Sequence, residues 1–163
     1  MSKGFGIGFA ITLVVIALVV WRIADATKGN HLDPITKVGK LRIQKVDENE
    51  SIAILDFSVD NDSDRKLVVR TVEASLDSPD GTTTDGSVIA AADLLNVFKN
   101  YGAELGEQYN PPFKAWDEVK PHERIDRMIG VRFDMPDEKL AKRKDIDLRL
   151  EDLSGIVVHV KTK

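Results

Sequence analysis

Six stretches of this chain alternate apolar and polar residues with a period of two, and that rhythm limits the fold more than any other feature of the sequence. Leu41 and Ile43 share one face of the first stretch, and Ala53, Leu55, Phe57 and Val59 share one face of the second. In the third the inward set reads Val68, Val72, Ala74 and Leu76, with Arg70 as an exception. Ile125, Ile129, Val131 and Phe133, then Ile146, Leu148 and Leu150, then Ile156, Val158 and Val160 complete the series. One buried and one polar face per strand describes antiparallel sheets covered on one side. The breakers "DNDSD", "SPDG" and "LSG" fall where turns are needed.

One segment departs from this period. "SVIAAADLLNVFKNYG" puts Val88, Ala91, Leu95 and Phe98 on one helical stripe, with Ser87 as N-cap and Gly102 as C′ residue, which predicts a helix over about 88–101. An irregular stretch follows, with a short strand near Phe113–Val119, and a second helix is expected from Pro136 to about Arg143. The expectation is a mainly β, seven-strand antiparallel sandwich with a helical insertion at about 87–116.

The run "LDFSVDNDSDRKLVVRTVEASL", then "GVRFDMP" and "LRLEDLSGIVV", resembles the LEA14-like branch of immunoglobulin-like sandwiches. The likeness rests on an F-x-V-x-N strand end, here Phe57, Val59 and Asn61, and on the closing strand–hairpin–strand, and it covers roughly residues 38–162. It implies an immunoglobulin-like β-sandwich with accessory binding roles and no shared catalytic residues. The insertion at 87–116 departs from the family pattern.

Residues 4–21, "GFGIGFAITLVVIALVVW", carry no charge. As a helix they would rise roughly 27 Å, close to the ~30 Å hydrocarbon thickness of a bilayer. Trp21 closes the run as an interfacial aromatic and Arg22 follows as a snorkelling cation. The chain therefore divides into a transmembrane anchor helix over 1–24, a linker over 25–37 and the sandwich domain over 38–163. Cleavage after the A-x-A pattern Ala24-Asp25-Ala26 is the alternative, but the apolar run exceeds the roughly 7–15 residues of a signal-peptide core. A literal count of flanking cations would leave the domain in the cytoplasm. Large domains cross largely regardless of charge, however, and a short tail before one apolar segment is the layout of a signal anchor, so a translocated domain is expected. Gly4, Gly8 and Thr12 recur every four residues and offer a small-residue face to a partner helix.

Setting aside Lys3 and Arg22 leaves 21 of the 23 Lys and Arg against 27 Asp and Glu, so the body carries about −6. An acidic body lacks the clustered cations that phosphate backbones require, and no nucleic-acid partner is expected. Cysteine is absent, which removes disulfides and thiolate chemistry. His31, His122 and His159 have no closely spaced second ligand. "DNDSD" starts like a calcium loop, but Arg65 and Thr71 stand where such a loop needs Gly and Glu. No nucleophile elbow or phosphate loop occurs. No catalytic, cofactor or metal site is therefore expected.

Tyr101, Tyr109, Phe113 and Trp116 cluster in or beside the insertion, with Asn110-Pro111-Pro112 stiffening the loop between them. Aromatic anchors on a rigid loop suit protein interfaces; the bland alternative packs Phe113 and Trp116 beneath the helix. The functional expectation is a non-catalytic, single-pass accessory subunit in contact with the bilayer and with other membrane-protein subunits. The alternative is a tethered module for a small apolar ligand or an extended peptide.

Overall fold

The computed structural model describes residues 12–22 and 34–162. Residues 12–22 are helical (α1), and every one of them is exposed. Among the described residues no helix is long and apolar enough to cross a membrane; Gly4, Gly8 and most of the anchor expected over 1–24 lie outside them. The remainder is a mainly β, antiparallel sandwich. In chain order it runs β1 (Ile35–Lys45), β2 (Ser51–Asn61), β3 (Leu67–Asp77), β4 (Thr83–Ile89), α2 (Ala91–Leu105), β5 (Glu118–Val119), β6 (Glu123–Phe133), α3 (Asp137–Ala141), β7 (Asp145–Asp152) and β8 (Val157–Lys161).

The strands are hydrogen-bonded in the order β1-β2-β6-β4-β3-β7-β8, with β5 on β3. Strand β4 joins the two layers. Its Thr83–Gly86 half pairs with β3, and its Ser87–Ile89 half pairs with β6. Gly86 permits the crossing, because a Cβ there would stand 2.4 Å from Val131 Cγ1 and 2.6 Å from Phe133 Cε1. At the far ends of the path, β1 and β8 approach each other where Thr36 Oγ1 donates to His159 O at 2.8 Å.

The inward faces predicted for β2, β6, β7 and β8 form the main core, which Leu67, Val69, Phe113, Val119, Met135 and Leu140 complete. Three expectations need correction. There are eight strands rather than seven, because the Thr- and Asp-rich stretch before α2 is β4. The helix spans Ala91–Leu105 rather than 88–101, and Ser87 lies in β4 opposite Arg132 instead of capping it. In β3 the buried residues are Leu67 and Val69, then Ala74 and Leu76. A register shift between Val69 and Thr71 separates the two sets. An extra residue on one strand flips the facing of all that follows, which accounts for the Arg70 exception.

Candidate interaction surface

Strand β2 is buried along its whole length except at Asp60. One face enters the main core. On the other, Ile52, Ile54 and Met128 form a second cluster under Leu94 and Leu105 of α2, with Val97, Phe98 and Tyr101 half-buried around them. The insertion leaves the sheet after Ile89, opposite Gly130, and returns at Pro112, bridged to Met128. Its two ends therefore lie almost side by side on β6. Gly102 does not end the helix. Tyr101 breaks the helical geometry at φ −121°, and a last turn runs on to Leu105, where the Gly106 N–H donates back to Gly102 O.

A buried cation fastens this insertion. The Arg42 guanidinium donates from Nη2 to Asp56 Oδ2 at 2.6 Å, and from Nη1 to Glu107 O at 2.8 Å and Leu105 O at 3.3 Å. A cation on the last carbonyls of a helix is favourably placed against its dipole. The guanidinium carbon also lies 5.2 Å from the Phe98 ring centroid and 5.3 Å from that of Tyr109. Asn110 Nδ2 donates to the other Asp56 oxygen at 3.0 Å. β1, β2, the end of α2 and the following loop thus meet at one ion pair. Within this clamp the Arg42 Nε, also buried, lacks a hydrogen-bond partner; elsewhere among the described residues the buried Arg143 Nε does too.

The four candidate interface aromatics do not form one surface. Tyr101, within α2, is half-buried against the second cluster, and Phe113 is buried in the main core, 5.7 Å from the Phe57 ring. Tyr109 lies over Arg42 and Lys40 on β1, yet 59% of it is exposed. Trp116 belongs to the other layer. Its N–H donates to Val69 O of β3 at 2.8 Å, and the residue is 61% exposed at φ 71°. The arrangement with Trp116 packed beneath the helix is therefore not found. A tight turn holds it: Asp117 N–H donates to Lys114 O at 3.1 Å, and Asp117 is itself paired with Arg127 at 2.9 Å. Of the interfacial and helix-packing residues, Thr12, Trp21 and Arg22 are described and exposed.

A crevice of about 470 Å³ opens between α2, the β1–β2 hairpin and the β4–β6 ladder, walled by Val46, Ile52, Ile89, Val97 and Tyr101. Among the described residues, no three or more His, Asp or Glu side chains are grouped to hold a metal ion. His122, in the turn before β6, and His159, exposed on β8, each lie beside a carboxylate: His122 on Asp64 and His159 on Asp147, both at 2.9 Å. Asn61, of the F-x-V-x-N strand end, is fully buried and ties three carbonyls, those of Arg65, Val119 and Lys120, through Nδ2.

Sequence signals for the clamp were limited. The apolar pair Ile52 and Ile54 on the polar side of β2 marks a covered face, and a covered face needs partners for Arg42 and Asp56. No local pattern announces the left-handed backbone at Trp116.

No protein-family profile and no curated protein matches the chain. Among solved structures, it is similar to an uncharacterized β-sandwich protein from Clostridium difficile 630 at 12% identity and TM-score 0.37, over 80% of this chain and 90% of that one. A structural-genomics target designated SoR45 is similar at 9% identity and TM-score 0.36, over 82% and 81% of the two chains.

Proposed function

We propose that this protein is a non-catalytic, membrane-tethered accessory subunit whose sandwich domain docks onto a larger membrane assembly through the insertion. The observation that carries the reading is the Arg42 clamp, which holds α2 and the exposed Tyr109 in one arrangement before any partner arrives. A rigid aromatic costs little conformational entropy on binding, so preorganisation favours its use as an anchor. The tether is supported by the uncharged run 4–21 and by α1, whose apolar side chains from Leu13 to Trp21 are exposed on every side. A helix apolar all round needs burial in protein or lipid. The small-residue spacing of Gly4, Gly8 and Thr12 gives a partner helix a place to pack, and the domain is translocated in this reading. The resemblance to LEA14-like immunoglobulin-like domains points to binding rather than catalysis.

The test is purification of the full chain from membranes in mild detergent, followed by native mass spectrometry. A stoichiometric protein partner that Tyr109→Ser releases, without loss of folding, supports docking. A chain that travels alone, or a partner indifferent to Tyr109→Ser, sinks it.

The second reading, a tethered module for a small apolar ligand, is favoured by the crevice beneath α2. It expects a bound small molecule in the same spectrum, displaced when Val97→Trp fills the crevice.

A further inference from the structure

Strand register places one set of residues at the end of the sandwich where the chain enters. Ile35 stands opposite Asp60, Asn61 opposite Glu123, Leu67 opposite Val119 and Val69 opposite Asp152. Six large apolar side chains of the domain are exposed, and three of them, Ile35 (49%), Trp116 (61%) and Leu153 (51%), lie at this end. The turns bearing Trp116 and Leu153 rest on adjacent residues of β3. Trp116 N–H donates to Val69 O at 2.8 Å, and Leu153 N–H donates to Val68 O at 3.1 Å. Each turn is braced independently, one by the Asp117–Arg127 pair and the other by the Asp152 carboxylate, which accepts from Ser154 and from Val68 N–H. A tryptophan in the left-handed region persists only where its surroundings over-determine it. Here that constraint serves to display the ring rather than to bury it.

We infer that this end face rests on the bilayer surface, with Trp116 and Leu153 in the interfacial layer. The inference depends on the tether reading above and adds the domain's orientation to it. The uncharged run ends at Trp21, and the domain begins at Ile35 on this same face. Residues 22–34 between them reach at most about 47 Å when extended, so this end stays within that distance of the bilayer. Tryptophan partitions to the interface in preference to either neighbouring phase. Beside the patch, Lys66 pairs with Glu118 at 3.3 Å and His122 with Asp64 at 2.9 Å, and the β2–β3 turn sets Asp62 near Arg65. The contact is therefore apolar rather than an attraction to anionic lipid.

The chain has two tryptophans, Trp21 and Trp116, so two single-tryptophan variants of the full chain separate the questions. Each is reconstituted in phosphatidylcholine vesicles with and without acyl-brominated phosphatidylcholine. In Trp21→Phe, Trp116 emission should be blue-shifted and lose intensity with the brominated lipid, and adding Leu153→Asp should restore both. In Trp116→Phe, quenching of Trp21 reports the tether alone. Quenched Trp21 with unquenched, red-emitting Trp116 overturns the orientation and leaves the tether intact. Neither residue quenched overturns both. Quenching of Trp116 that survives Leu153→Asp overturns the shared end face.

Discussion

Arg42 and Asp56, both more than nine-tenths buried, meet at 2.6 Å on the face of β2 that alternation alone would leave to solvent. Breaking a buried pair strands the remaining charge, which typically costs ~3–5 kcal/mol, whereas replacing both members with apolar residues is often neutral. Asp56→Ala should therefore destabilise the domain by about that amount in urea titration, and Arg42→Met with Asp56→Leu should recover most of the loss. The unpartnered Nε of Arg42 is one polar group that the double replacement removes. An Asp56→Ala loss below ~1 kcal/mol would show that solvent reaches the guanidinium.

Two glycines should respond oppositely to alanine. At Gly86 the new Cβ meets Val131 and Phe133 inside 3 Å, and overpacking of this kind costs ~1–3 kcal/mol. At Gly102 nothing lies within 4 Å, and alanine in a helix gains roughly 0.5–1 kcal/mol over glycine. Thermal denaturation of the two variants checks the signs. A tolerated Gly86→Ala would mean that β4 can shift off β6.

Acid should weaken the β7–β8 turn. Burial pushes the Asp152 carboxyl up, but hydrogen bonds from the Ser154 hydroxyl and from the Ser154 and Val68 N–H groups outweigh it and hold the group below its ordinary value. A depressed carboxyl contributes stability that is present above the unfolded-state value near ~4 and is lost as pH falls through the folded one. The stability gap between wild type and Asp152→Asn should accordingly be widest at neutral pH and narrow below pH ~4. A gap that is constant with pH would remove Asp152 as its source.

The left-handed backbone at Trp116 carries a steric cost of roughly 1–2 kcal/mol that glycine does not share. Trp116→Gly should leave the melting temperature unchanged or raise it, since the side chain gives the core nothing. A clear drop would show that the ring packs more than its exposure implies.

Strand facing is legible in the sequence where one face of a strand does one job. Val131 and Phe133, or Ile146, Leu148 and Leu150, point inward as period two requires. It is not legible where a strand does two. β4 divides its pairing between layers within seven residues, too short for alternation to register, and its Thr83-Thr84-Asp85-Gly86 half reads as a breaker. Arg70 looked anomalous because a bulge is invisible to a strict period. Of the interface candidates, residue type was legible but placement was not. Whether Phe113 enters the core and Trp116 leaves it is decided by one turn, braced by Asp117 and Arg127, which are ten residues apart in the chain.

Ile89 and Pro112 meet β6 only two residues apart, at Gly130 and Met128, so the sandwich holds the segment between them as a closed loop. Closing a loop twice as long adds only ~0.6 kcal/mol of entropy. The segment is thus an exchangeable cassette: another sequence could replace it, provided it covers Ile52, Ile54 and Met128 and gives Arg42 carbonyls to bind. The segment could then vary in sequence while the scaffold beneath it stays the same.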